Sequence, residues 1–217
     1  MKISSAERRL IEKGPGACLS HAVNTVCGRW EPGEDTISKD AESSLEYAQD
    51  IIKGRWEPGE AAISGHSDSS VKYARHIIGG RWEPGEAAIS KDADASVLYA
   101  KHIIGGRWEP GEAAISGDAD ASLKYAKEVI GGRWEPGEEA ICSQGWFPGQ
   151  LCIEYATDVL KDRFERGEKV ISNSASDSFT YATEIVKGRW KKGEKSMAES
   201  ADIAVRYAIR FLGGRFE

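Results

Sequence analysis

No stretch of the chain approaches the roughly 18–20 consecutive apolar residues that a membrane-spanning helix needs. Strand signals are missing as well: no run alternates apolar and polar residues, and Gly interrupts the chain too often. Raw material for site chemistry is scarce. There are four His and four Cys, with no zinc spacing, phosphate loop, GxSxG, HExxH or nucleophile triad among them. Met1 to Leu10 carries Lys2, Arg8 and Arg9 and no apolar core, so no secretory signal is expected and the location read from this is cytoplasmic. Cationic surplus is lacking too. The 29 Lys+Arg against 35 Asp+Glu leave a formal charge of −6, which disfavours nucleic acid as a partner. These absences argue against an enzyme, and no cofactor or metal is expected. Aromatics are plentiful, with seven Trp, seven Tyr and five Phe, and the 40% hydrophobic content is above that of disordered chains. The 217 residues allow one domain or at most two.

What the chain does have is a repeat. Arg recurs at 29, 55, 81, 107, 133, 163, 189 and 215, spaced by 26 residues except for one step of 30 between Arg133 and Arg163. An aromatic follows each: Trp30, Trp56, Trp82, Trp108, Trp134, Phe164, Trp190 and Phe216. Cutting after the aromatic gives eight repeats, 5–30, 31–56, 57–82, 83–108, 109–134, 135–164, 165–190 and 191–216, read as a single helical-repeat domain over 5–216. Each repeat predicts two helices. In the second, the longer helix runs from about Ala41 to Lys53, with Leu45, Ala48, Ile51 and Ile52 on one face. Asp40 or Ser43 serves as its N-cap. Gly54 is assigned to the left-handed position that ends it, and Gly returns there at 28, 80, 106, 132, 188 and 214, with Asp162 the one departure. The shorter helix spans about Pro58 to Ser64, with Pro58 either in its first turn or in the turn before it.

A repeat of this size cannot form its own core, so neighbours must stack, and the fold expected is an all-α solenoid of eight two-helix repeats. Its core comprises the Tyr series, the Trp/Phe series, the paired Ile/Val positions, Ile37 to Met197 at the end of the short helix, and the series Leu45, Val71, Val97, Leu123, Ile153, Phe179 and Val205. The end repeats should be atypical, and His21 and Lys191 already depart from the pattern.

The motif YAxxIIxGRWxxGE, carried in the second repeat by Ser44, Tyr47, Ala48, Ile51, Ile52, Gly54, Arg55, Trp56, Gly59 and Glu60, resembles a group of short helical repeats written SxxYAxxVIxGRWxxGExxI. These occur in proteins of large bacteriophages and giant viruses. The resemblance covers all eight repeats and implies a helical array of viral or phage-like origin, hence the cytoplasm of a host. It implies no reaction. The sequence departs from the group in its Glu-Pro-Gly and in the insertion.

Several residue series invite a chemical reading. Arg55/Glu60, Arg81/Glu86, Arg107/Glu112 and Arg133/Glu138 form either a cationic ladder for a polyanion or mutually neutralising pairs, and the acidic balance favours the pairs. The Trp and Tyr series are read as packing rather than base-stacking platforms. His76 and His102 are read as solvated, with His66 in a loop nearby. Asp40, Asp68, Asp92, Asp94, Asp118, Asp120 and Asp177 lack the pattern of a calcium loop and are read as N-caps. Cys18 and Cys27 are about 13 Å apart along a helix, too far to bridge. Cys142 and Cys152 flank the insertion; they could close it or remain reduced thiols, and the latter is favoured.

The insertion breaks the rule. Ile141 to Tyr155 is fourteen residues where Ile115 to Tyr125 is ten, and the extra chain carries Trp146 and Phe147 beside Pro148 and Gly149. Either the two aromatics anchor a protein partner or they fold back and fill a gap. Nearby in the pattern, Pro is replaced after Pro136 by Arg166 and Lys192. The residue before Tyr varies as Glu46, Lys72, Leu98, Lys124, Glu154, Thr180 and Arg206, a changing position on a constant frame. The candidate partner-binding residues are therefore Trp146, Phe147, Leu98, Lys72 and Lys124, with Ile209 a further exposed apolar position. The function expected is a non-enzymatic protein-binding scaffold, and the resemblance suggests an inhibitor of a host defence protein. The alternatives are a nucleic-acid-binding array using the Arg ladder and a self-assembling structural component.

Overall fold

The structure is a computed structural model that describes residues 3–213, so Gly214, Arg215 and Phe216 of the repeat pattern lie outside the described residues. The fold is all-α, with no strand among the described residues and a short and a long helix in each repeat, as the period predicts. Two compact units are present, Met1–Ala114 and Ile115–Glu217. In the first, short helices Ser5–Lys13, Glu31–Ile37, Glu57–Ser64 and Glu83–Ile89 alternate with long helices that begin at Pro15, Ala41, Ser67 and Ala93. In the second, long helices begin at Ala119, Pro148, Ala175 and Ala201, and the short ones are Glu138–Ser143, Glu168–Ile171 and Glu194–Ala198. Pro58 is in the first turn of its helix, where a missing N–H costs nothing.

The long helices are not uniformly α-helical. Ala41–Glu46 gives way to a π-helical stretch, Tyr47–Ile52, and the same change occurs at Ala74–Ile78, Ala100–Ile104, Ala126–Ile130, Tyr155–Leu160 and Ala182–Val186. The wider turn moves the left-handed residue one place earlier than the sequence reading put it. That residue is Cys27, Lys53, Gly79, Gly105, Gly131, Lys161 or Lys187, not the Gly, or after Lys161 the Asp162, that follows. The carbonyl of Ala48 accepts both the Lys53 and the Gly54 N–H, so the wide turn ends with its buried acceptor doubly satisfied. A side chain at Gly54, Gly80, Gly106 or Gly132 would meet nothing within 4 Å, and no steric need explains those glycines.

A different glycine is sterically required. A Cβ on Gly85 would lie 2.7 Å from Ser70 Cβ and 2.8 Å from the Trp82 ring, and Gly59, Gly111, Gly137 and Gly193 are equally confined. Only a bare Cα lets the short helix approach the long helix before it. The hydroxyl of the same serine donates to the end of its own short helix, as Ser70 does to the Ile63 carbonyl at 2.8 Å. One small residue therefore joins the two helices of its repeat and admits the next.

The Tyr series, the Trp/Phe series from Trp30 to Trp190 and Ile37 to Met197 are all buried, with Leu45, Val71, Val97 and Leu123, whereas Ile153 and Phe179, expected in the core, are half-buried. The paired Ile positions, such as Ile51 and Ile52, expected in the core, are only half-buried and lie in the π-helical stretch. Val205, expected in the core, is 58% exposed. Each Tyr from Tyr47 to Tyr181 packs its ring on the aromatic nine residues on, as Tyr73 does on Trp82 with ring centroids 4.8 Å apart; Tyr207 meets Phe211 at 5.3 Å, and His21 takes the Tyr place against Trp30 at 4.7 Å.

Every Arg–aromatic motif in the described residues is part of a hydrogen-bonded assembly. The Arg55 guanidinium grips the Glu60 carboxylate through Nε at 2.7 Å and Nη2 at 3.1 Å. The Tyr73 hydroxyl donates to Glu60 at 3.0 Å and accepts the Trp56 backbone N–H at 3.0 Å. The bidentate pair thus orients a carboxylate that orients a phenol, and the phenol satisfies a buried amide. Burial pushes the hydroxyls of Tyr47, Tyr73, Tyr99, Tyr155 and Tyr181 up to about 12. An unfolded Tyr ionises near pH ~10, so the stabilisation is intact below that pH and is lost as pH rises toward 12. Phenolate absorbance should therefore appear together with loss of helical circular dichroism; ionisation near pH ~10 with the helices intact would refute the linkage.

Candidate partner-binding surface

The insertion adds loop and no helix. Glu138–Ser143 ends at Gln144, and Pro148–Glu154 begins after Phe147, with Pro148 in the first turn. Gly145 turns the chain at φ +87°, a conformation that a residue with a Cβ resists. The loop projects its aromatics outward: Trp146 is 95% exposed and Phe147 67% exposed. They do not fold back to fill a gap, which removes one of the two readings of the sequence. Single exposed apolar residues are ordinary, but two adjacent aromatics at these exposures on a loop that interrupts a strict repeat are not.

Lys72 and Leu98 occupy the same position in successive repeats of the first unit, both on the outward side of their helices. Lys72 pairs with Asp68 at 2.6 Å, four residues earlier on its own helix, so its charge is largely answered. Leu98 is 42% exposed. Lys124 is exposed in the second unit. The varying position is exposed at Glu46 and Glu154 also, and half-buried at Thr180.

The Arg series is occupied internally. Arg29, Arg55, Arg81, Arg107, Arg133, Arg163 and Arg189 each contact the Glu five residues on at 2.6–2.8 Å. In the second unit the pattern change after Pro136 acquires a meaning. Arg166 reaches back to Glu138 at 3.5 Å and Lys192 to Glu168 at 2.6 Å, so each carboxylate faces two cations and is fully buried. Burial opposes ionisation of Glu168, but Lys192 and Arg163 outweigh it and hold the carboxyl below its usual range.

The acidic series divides into two roles. Asp40, Asp92 and Asp118 cap their helices by accepting the amide three residues on, and His66 and Ser174 do so in other repeats. Asp68, Asp94, Asp120 and Asp177 lie inside the first turn instead, where a carboxylate meets the positive end of the helix. No group of three or more His, Cys, Asp or Glu suited to a metal occurs among the described residues. His76 and His102 are exposed.

Cys142 and Cys152 are free, with their sulfurs 3.7 Å apart and the Cys152 thiol directed at Cys142. Cys152 is completely buried and Cys142 is half-buried. That hydrogen bond lowers the Cys142 thiol against the effect of burial, and the same pairing together with burial raises Cys152. The sequence shows that these cysteines flank the loop but not that they meet, because the path of the extra residues is not periodic.

No family model, curated protein or solved structure matches the chain. No helix among the described residues is long and apolar enough to cross a membrane.

Proposed function

We propose that the chain is a non-enzymatic scaffold that binds a protein partner through the Trp146–Phe147 loop. The observation that carries this reading is the outward projection of both aromatics, 95% and 67% exposed, from the one place where the repeat is broken. Trp is favoured as an interface anchor because it buries a large area at little entropic cost. Lys72 and Leu98 in the first unit, and separately Lys124 in the second, are secondary candidates. The internal pairing of the Arg series weighs against the nucleic-acid reading, since a polyanion would have to displace a bidentate carboxylate at every contact. The resemblance to bacteriophage and giant-virus repeats extends the proposal to a host protein as target, with inhibition of a defence factor as the role.

The test compares wild type with Trp146→Ala/Phe147→Ala in affinity capture from host lysate, read by mass spectrometry and followed by titration of the captured protein. A partner bound at least about tenfold more weakly by the variant, a loss of about 1.4 kcal/mol, supports the reading. Equal affinity for both chains, or recovery of nucleic acid alone, overturns it. A second reading, self-assembly, is favoured by Val205 and Ile209, 58% and 71% exposed on the last long helix. Light scattering distinguishes it by a mass that rises with concentration.

A further inference from the structure

The two sulfurs at the base of the aromatic loop form an asymmetric pair. Cys142 is reachable from solvent near the end of the helix Glu138–Ser143, whereas Cys152 is wholly enclosed and points its S–H at Cys142 from 3.7 Å. A second contact, from the Cys152 thiol to the Ile141 carbonyl at 3.7 Å, holds the buried sulfur beside its neighbour. In other repeats both places are taken by serine, at Ser64, Ser90 and Ser116 and at Ser70, Ser96 and Ser122. The fold therefore accepts a hydroxyl at either position. The repeat that carries the insertion has a thiol at both, and each thiol is the nearest reaction partner of the other.

We propose that Cys142 and Cys152 are an oxidant-responsive dithiol, which a hydroperoxide converts to an intrachain disulfide that braces the Trp146–Phe147 loop. In the first step the Cys142 sulfur, as thiolate, attacks the hydroperoxide. An S–O bond forms, the O–O bond breaks, and the leaving oxygen takes a proton and departs as alcohol, or as water from hydrogen peroxide, leaving Cys142 as sulfenic acid. In the second, the Cys152 sulfur attacks the sulfenic sulfur. The S–S bond forms, the S–O bond breaks, and the Cys152 proton leaves with the hydroxyl as water. Two thiols are oxidised by two electrons and the peroxide is reduced. The lowered Cys142 thiol and the raised Cys152 thiol match the attacking and resolving roles. Cys27, exposed and left-handed at a helix end, provides an internal reference for an exposed thiol outside this pair. The proposal does not depend on what the loop binds.

The test treats the full chain with hydrogen peroxide and digests it without reductant. Trypsin leaves both cysteines in the fragment 134–161, between Arg133 and Lys161, and chymotrypsin cuts that fragment between them after Trp146, the Phe147–Pro148 bond being resistant. The expected product is a fragment lighter by two hydrogens whose chymotryptic halves stay joined until dithiothreitol is added. It should form about tenfold faster than Cys27 is modified. In Cys152→Ser, dimedone should trap a sulfenic acid at Cys142; in Cys142→Ser, Cys152 should stay unmodified. Serine at the corresponding positions of other repeats indicates that both variants fold, and circular dichroism checks this. The proposal is overturned if wild type accumulates sulfinic acid at Cys142 without a link, if Cys142 reacts no faster than Cys27, or if an intermolecular Cys27 bridge forms first.

Discussion

Trp82→Ala is expected to destabilise the protein by about 3–5 kcal/mol, the range for removing a large buried aromatic. The Trp82 ring is 4% exposed, stacks on Tyr73 at 4.8 Å and covers Gly85, where even a methyl group would collide. The space it leaves cannot collapse easily. One wall is a helix already in contact at Gly85, and the other is Tyr73, whose hydroxyl is tied to Glu60 and to the Trp56 amide. Because stability in a repeat array is a sum over neighbouring contacts, the loss should also be local. Urea unfolding followed by circular dichroism measures the total, and amide hydrogen exchange should show the greatest loss of protection in the repeats beside residue 82. A cost under about 1 kcal/mol, outside the range for such substitutions, would mean that the aromatic series fills space without supporting it.

The second large effect is expected at Glu168. Its carboxylate is fully buried and receives Arg163 at 2.6 Å, Lys192 at 2.6 Å and the Tyr181 hydroxyl at 3.4 Å. Glu168→Ala strips two cations and a phenol of their common acceptor. Both cations remain partly exposed and can recover water, so the cost should fall at the low end of the range for a broken buried pair, about 3 kcal/mol. The pH dependence has a definite sign. The folded carboxyl titrates below its unfolded value, so the stabilisation is present above the unfolded pKa and is lost as pH falls through the folded one. Glu194, lowered chiefly by Arg189, acts in the same direction. Wild type should therefore lose stability in acid more steeply than Glu168→Gln, and parallel acid transitions for the two chains would show that Glu168 is not the group responsible.

Much of this architecture is legible in the sequence because a strict period repeats one solution many times. The Tyr, Trp and Ile series identify themselves as core by recurring at helical spacing, and the Arg–Glu pairs by recurring five residues apart. The π turn is not legible. It depends on carbonyls such as that of Ala48 taking two amides, and no residue type announces that geometry. The reading of Gly54 as the left-handed residue failed for this reason, by one position. The role of Arg166 and Lys192 was visible only as a lost Pro, because their partners are in the preceding repeat at a separation no local pattern covers. The insertion could be found as a broken period, but whether Trp146 turned outward or inward depended on packing that an aperiodic segment does not encode.

The bridging tyrosine bears on how such a chain changes length. Each assembly draws its Arg, aromatic and Glu from one turn of the pattern and its Tyr from the long helix that follows, as Arg55, Trp56, Glu60 and Tyr73 do. A tandem duplication of one whole period, wherever the genetic crossover falls within the regular repeats, recreates all four partners at the new seam. Gain or loss of a repeat then strands no amide and no carboxylate, so repeat number can drift among descendants while each junction stays intact. Copying the repeat that contains Trp146 would also duplicate its aromatic loop, turning a change of length into a change of valency.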